Sequence, residues 1–282
     1  MIISASRRTD IPAFYSDWFV ERIKERCVHV KNPFNPSQIS KISLEPDDVD
    51  CFVFWSKNPK PMLDKLEILN EYTYYFQFTL NQYKNDIERN LPPKSEIIET
   101  FKKLSDKISA QKVIWRYDPV LLNAKYTVQY HIEKFNEIAY QLKGYTEKVI
   151  FSYIDFYKKI AENLKTNGVT EITTEEKLIL AENFSKSAKE NNLVIATCAE
   201  DIDLSQFNIE HAKCIDDDLI SKLTGRELSI KKDKNQRLEC GCVTSRDIGE
   251  YNTCLNGCIY CYAGNFVAGA GSCAVGSCAA GA

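Results

Sequence analysis

Short apolar segments rich in β-branched and aromatic residues alternate along this chain with amphipathic ones, and that alternation narrows the fold more than any other feature. The strand candidates are residues 2–6 (IISAS), 27–30 (CVHV), 51–55 (CFVFW), 72–80 (YTYYFQFTL), 112–117 (KVIWRY), 148–154 (KVIFSYI), 193–198 (LVIATC) and 211–215 (HAKCI). Residues 16–26, 61–71, 95–108, 128–144 and 174–191 mostly place apolar side chains at helical spacing with charges on the other face. Eight strands in about 215 residues give roughly 30 residues per repeat, the size of a βα unit. The pattern predicts an α/β fold, a (β/α)8 or incomplete TIM-like barrel, over residues 1–238. A cysteine-rich, cluster-binding segment is expected at 239–266, followed by a disordered Gly/Ala tail at 267–282.

Composition removes several function classes. Lys plus Arg number 36 and Asp plus Glu 39, a net charge of -3, so the basic excess that a duplex-DNA binder needs is absent. Nucleic acid is not an expected partner, although Tyr74, Tyr75 and Trp115 leave a single-stranded stacking groove open. No run approaches the ~18 apolar residues of a membrane span, and no basic start precedes an apolar stretch. A cytoplasmic protein without a membrane partner is expected.

In a barrel of parallel strands, chemistry gathers at the C-terminal rim. Polar residues fall there: Ser6-Arg7-Arg8-Thr9-Asp10 after the first strand, Ser56-Lys57-Asn58 after the third, and Asp155 after the sixth. Gln77, Thr79 and Asn81 share one parity on the fourth strand, and Arg116 and Asp118 share one on the fifth, so each set can point into the mouth. Catalytic roles for Arg7, Arg8, Asp10, Arg116 and Asp118 compete with a plainer reading as ion pairs that cap the sheet. The Arg7-Arg8 pair suits a small-molecule or anionic substrate, or a clamp on Asp247 or Glu250.

Eleven cysteines are the compositional anomaly. In a reducing compartment such crowding points to metal or redox chemistry rather than disulfides. Cys254, Cys258 and Cys261 are spaced C-x3-C-x2-C, and three thiolates on so short a loop can hold three irons of a [4Fe–4S] cube, leaving the fourth open. Cys198 and Cys214 end adjacent strand candidates, and Cys240 and Cys242 form a C-x-C just before the motif. Together these four make a second [4Fe–4S] cluster or a zinc site, or are buried core residues. Cys27 and Cys51 read as small hydrophobes, and His29, His131 and His211 as packed or solvated. Cys273 and Cys278 sit in the tail.

The string CLNGCIYCYA, with Tyr260 before the last cysteine, resembles the cluster motif of the radical S-adenosylmethionine (SAM) superfamily, most closely the spore photoproduct lyase version. SASRRTDIPAF near the start and CGCV..S.DIGEYNTC..GC.YCYA near the end resemble a bacterial family known as a domain of unknown function, from Ile2 to about Ala263. The first resemblance implies that the motif cysteines hold a [4Fe–4S] cluster whose open iron chelates SAM. Tyr260 would lie near the adenine, with Gln77 and Asn81 as further cofactor-binding candidates, and a 5′-deoxyadenosyl radical would act on substrate. It also implies a reductant such as ferredoxin or flavodoxin. In that superfamily the motif normally follows the first barrel strand; here it follows every strand candidate, and the chain contains no Gly-Gly. An iron–sulfur protein without SAM, serving electron transfer, and a zinc-stabilised binding or hydrolytic protein are the alternatives.

Overall fold

Segments that are apolar on both faces need cover on both sides, which a parallel sheet with crossover helices supplies. The computed structural model of the chain describes residues 1–264; Cys273, Cys278 and the tail segment 267–282 lie outside them. The strands are β1 (Ile2–Ala5), β2 (Cys27–Asn32), β3 (Asn35–Ser43), β4 (Cys51–Ser56), β5 (Tyr74–Thr79), β6 (Val113–Val120), β7 (Lys148–Tyr153), β8 (Val194–Thr197), β9 (Glu210–His211) and β10 (Arg246–Asp247). Eight of them form one sheet in the order β10-β1-β4-β5-β6-β7-β8-β9, with every neighbouring pair parallel. The helices are α1 (Ile11–Phe14), α2 (Ser16–Lys24), α3 (Lys94–Ile108), α4 (Val128–Gln141), α5 (Ala161–Thr166), α6 (Thr174–Glu190) and α7 (Asp217–Thr224), with a 3-10 segment at Lys60–Leu69.

The period of two along the strands divides the core. Ile3, Phe52, Phe54, Phe76, Trp115, Phe151 and Ile195 face outward into the cluster shared with Phe19 of α2, Phe101 of α3, Phe135 of α4 and Phe184 of α6. Ile2, Cys51, Val53, Tyr75, Ile114, Ile150 and Ala196 face the other way into a smaller cluster that also takes Ala212 and Cys214. That inner cluster requires a strongly curved sheet. Tyr75 Oη on β5 donates to the Cys214 carbonyl just beyond β9 at 2.7 Å. β5 and β9 are four strands apart in the sheet order, about 19 Å if the sheet were flat. The outer strands β9 and β10 share no ladder among the described residues; beside them, Val243 N donates to the Ile215 carbonyl at 3.2 Å.

The α/β class and the parallel sheet follow the sequence pattern, and two strands depart from it. Residues 27–30, expected as a sheet strand, belong instead to the antiparallel β2–β3 hairpin, where Cys27 pairs with Ser43. Its partner NPSQISKIS is polar and mostly exposed, so the hairpin has no two-sided apolar surface to bury within the sheet. The eighth sheet strand is β10, inside the cysteine-rich segment that had no strand periodicity. It is only two residues long, Arg246 pairing with Ile3 and Asp247 with Ser4. The helical expectations hold to within a few residues, except that 61–71 is a 3-10 segment, and α1, α5 and α7 are additions. Among the described residues, no helix is long and apolar enough to cross a membrane.

His131 illustrates how completely the helix layer buries polar groups. Its Nε2 lies 2.9 Å from the Leu121 carbonyl, which can only accept, so Nε2 carries the proton and Nδ1 accepts from Tyr117 Oη at 2.8 Å. Burial pushes its pKa down from 6.5 to about 4. The unfolded chain therefore takes up this proton first as pH falls. The stability it contributes is complete above about pH 6.5 and lost towards about pH 4, on the order of 3 kcal/mol. Urea unfolding between about pH 7 and about pH 4 should show this decline. His131→Gln, which can reproduce the same donor and acceptor, should flatten it; an unchanged slope would assign the decline to other groups.

Candidate metal centre at the strand ends

Because all eight strands run the same way, their C-terminal ends and the following loops share one rim. The inward-facing parity is apolar low in the sheet and turns polar at that rim: Tyr75 leads to Gln77, Ile114 to Arg116, Ile150 to Ser152 and Ala196 to Cys198.

Asp247 of β10 ties the end of the chain to its beginning. Its carboxylate accepts from Ser4 Oγ (2.6 Å), Ser6 Oγ (2.6 Å), Arg7 N (2.9 Å) and Gly249 N (3.0 Å). A Cβ at Gly249 would lie 2.1 Å from Ser6 Oγ, so only glycine allows this approach. Arg8 completes the clamp, with Nε 3.8 Å from Asp247, Nη1 donating to the Gly249 carbonyl at 3.4 Å, and its guanidinium over the Tyr251 ring. Arg7 is placed differently. Among the described residues no carboxylate pairs with its guanidinium, which lies 5.9 Å from the centre of the Trp55 ring.

The cysteine loop begins beyond this clamp. Asn256 Nδ2 donates to Asp10 Oδ2 at 2.9 Å and lies 3.5 Å from Cys254 Sγ. Asp10 also accepts from Lys57 N (2.9 Å) and caps α1 through Ala13 N (3.1 Å), so it works as a buried hub for three loops; burial raises its pKa. Gly257 has φ +68, and a Cβ there would meet Asn90 Nδ2 at 2.9 Å. Cys258 then pairs through its backbone with Glu88, and Cys261 N donates to the Cys258 carbonyl at 3.1 Å. Cys258 is buried, while Cys254 and Cys261 are partly exposed at the rim. The three thiols lie within electrostatic range of one another, and burial pushes Cys254 up to about 12 and Cys258 higher still. Cys254 and Cys258 are therefore protonated when no metal is bound, so a metal must displace those protons.

Beside Cys258, the fully buried Glu88 carboxylate takes Lys57 Nζ at 2.7 Å, Lys94 Nζ, and Tyr260 Oη at 2.5 Å. Burial alone would raise this carboxyl, but the two ammonium groups outweigh it and hold Glu88 at about 2. Lys57 also lies 5.4 Å from the centre of the Tyr260 ring. Asn81 Nδ2 reaches Glu88 and Tyr260 at 3.4 Å and the Asp118 carbonyl at 3.0 Å, and its Oδ1 accepts from Asp118 N at 2.9 Å. Asp118 in turn pairs with Arg116 and accepts from Ser152. Glu88, Lys94, Ser152 and Asn256 carried no signal in the sequence, because a lone polar residue in a loop looks the same whether it is solvated or buried.

The second thiol group gathers elsewhere on the rim. Cys198 Sγ and Cys214 Sγ are 3.2 Å apart, and the Cys242 thiol lies within electrostatic range of Cys214 and Cys240. Cys242 Sγ also accepts from Cys214 N (3.2 Å) and Ile215 N (3.4 Å), and Cys214 Sγ from Arg116 Nη1 (2.8 Å). Asp216 holds the Cys214 segment by capping α7 through Asp218 N and Leu219 N, each 3.1 Å away. Gln77 belongs to this group: its Nε2 donates to the Cys214 carbonyl at 2.9 Å, and among the described residues no hydrogen bond joins it to the C-x3-C-x2-C loop. Asp155 pairs with Arg237 at 2.7 Å.

Glu88→Gln removes the negative partner of two largely buried ammonium groups. Urea denaturation of the variant should show a loss of ~3–5 kcal/mol, the cost of breaking a buried ion pair from one side. A loss well under ~1 kcal/mol would mean that solvent satisfies both lysines.

No curated protein matches the chain. The model of the family described as "Domain of unknown function (DUF1848)" matches residues 2–263, and the chain belongs to that family.

Proposed function

We propose that this protein is an iron–sulfur enzyme of radical SAM type, built on an incomplete TIM-like barrel. The observation that carries the reading is the place of β10. This last strand lies next to β1, and from there the sheet runs through the remaining strands in chain order. Counted around the sheet, β10 comes first, and the C-x3-C-x2-C loop leaves its C-terminal end. The late position of the motif in the chain is then a permutation of the arrangement in which the cluster loop follows the first barrel strand.

The donor set fits a [4Fe–4S] cluster. Cys254, Cys258 and Cys261 are soft thiol ligands on one short loop, the ligand type and spacing that iron–sulfur clusters take. With SAM on its open iron, such a cluster supplies the electron that splits the sulfur–C5′ bond to give a 5′-deoxyadenosyl radical. The chain's own part is placement and charge. Lys57 stands near Cys258 and favours its thiolate, while burial and the Glu88 carboxylate oppose it. Asn256 steers Cys254 through the Asp10 hub, and Tyr260 is locked by Glu88 at the inner edge of the loop. Arg7, a rim cation without an ion-pair partner among the described residues, suits the carboxylate of SAM or of a small anionic substrate. A ferredoxin- or flavodoxin-class protein would supply electrons.

Anaerobic reconstitution should load about four irons and four sulfides on the motif cysteines, lost in Cys258→Ala. Reduced, loaded protein given SAM should release 5′-deoxyadenosine, and Arg7→Ala should weaken this at limiting SAM or substrate. Iron without deoxyadenosine would replace this reading with electron transfer. A motif that takes zinc and refuses iron would end both.

A further inference from the structure

The sheet has a seam, and thiols line it. β9 and β10 end the strand order without a ladder between them among the described residues. Cys198 follows β8, Cys214 follows β9, and Cys240 and Cys242 lie on the segment that leads back into β10. Cys198 Sγ meets Cys214 Sγ at 3.2 Å, Cys242 Sγ accepts from the Cys214 amide at 3.2 Å, and Cys240 lies two residues before Cys242. Cys214, Cys240 and Cys242 are all under 7 % exposed. We propose that these four cysteines bind a single tetrahedral metal ion of the Zn²⁺ class, which closes the seam between β9 and β10.

Three features favour a metal over a cluster of packed thiols. First, the surrounding N–H groups aim at sulfur: Arg116 Nη1 at Cys214, and the Cys214 and Ile215 amides at Cys242. A neutral thiol is a weak acceptor, whereas a metal-bound thiolate profits from such donors. Second, Arg116 is buried and carries a charge that the Asp118 carboxylate balances on one side while the sulfur occupies the other. Third, Gln77 and Tyr75 hold the Cys214 carbonyl and Cys242 holds its amide, so the backbone of one ligand is fixed at both ends.

Spacing selects the kind of metal. A tetrahedral ion with metal–sulfur bonds of about 2.3 Å sets its sulfurs about 3.8 Å apart. The 3.2 Å contact between Cys198 and Cys214 is near that separation, whereas an iron–sulfur cube holds its cysteines farther apart because irons and sulfides intervene. No three of the four sulfurs gather within 4.8 Å of one another, so binding of the ion would have to draw them together by side-chain rotation. The ion would replace four thiol protons.

The test uses the full chain, purified anaerobically, with zinc and iron measured together. The triple variant Cys254→Ala/Cys258→Ala/Cys261→Ala should keep about one zinc per chain and lose iron. Cys240→Ser/Cys242→Ser should lose zinc at least about tenfold, on the order of 1.4 kcal/mol or more in binding. Co²⁺ exchanged into the triple variant should give the intense visible absorption of a tetrahedral thiolate site. Should the double variant fail to fold, alkylation mapping of the triple variant decides: the four thiols should be shielded, then modified after chelation. A zinc-free triple variant, zinc that survives Cys240→Ser/Cys242→Ser, four thiols alkylated without chelator, or iron with sulfide at this second group would each overturn the proposal. Because iron reports one thiol group and zinc the other, failure here leaves the radical SAM reading standing, and the reverse.

Discussion

The rim depends on the Asp247 carboxylate. β10 contributes two residue pairs to the sheet, too few to hold a strand by its ladder alone. The four hydrogen bonds that converge on Asp247 each involve a charged acceptor, worth about 1.5–3 kcal/mol apiece. They also fix where the following loop begins. Ser4 and Ser6 belong to the first strand and its exit, so the end of the chain is registered against its beginning. The loop of residues 248–264 starts from the position that this carboxylate sets, before Asn256 reaches Asp10 and Cys258 pairs with Glu88.

Curvature is the second constraint, and it explains the distribution of polarity. A flat sheet with helices on both faces would keep β5 and β9 apart; here their residues meet inside. The enclosed face narrows, so its lower residues are apolar and compact while the aromatic bulk goes outward among the helices. At the rim the inner face reaches the loops, and buried charges appear in compensated sets. Arg116 balances Asp118, and Glu88 balances one of two lysines. Of these charged groups, Lys57 and Glu88 stand within electrostatic range of Cys258.

Legibility in the sequence followed the strength of each physical signal. Strands buried on both faces, such as CFVFW and YTYYFQFTL, announce themselves by composition, and the amphipathic helices by their spacing. β10 does neither, since its stability comes from one carboxylate and its neighbours' backbone. The 27–30 segment looked like a sheet strand because CVHV is apolar; the polar NPSQISKIS that pairs with it decided otherwise. At the site, cysteine spacing marked the motif loop, and the placement of Cys198 and Cys214 at adjacent strand ends anticipated their contact. Gln77 and Arg116 showed the parity of mouth residues, but parity does not say which thiol group they meet. Glu88 and Lys94 stayed hidden because burial of a charge is a tertiary property.

The two thiol groups are not independent neighbours. Arg116 touches Cys214 on one side and Asp118 on the other; Asp118 exchanges hydrogen bonds with Asn81; Asn81 reaches Glu88 and Tyr260; Glu88 holds Lys57 beside Cys258. Each link is a directional bond between largely buried groups, so displacement of one member leaves another unsatisfied at a cost of about 1–3 kcal/mol. Such a line resists the sliding of β5 and β6 against the two loops that it joins. It spans the curved interior from the seam at β9 to the motif loop beyond β10, which the sheet ladders do not bridge. Rigid spacing of these two loops is therefore a property of the buried polar network, and the apolar core alone would not supply it.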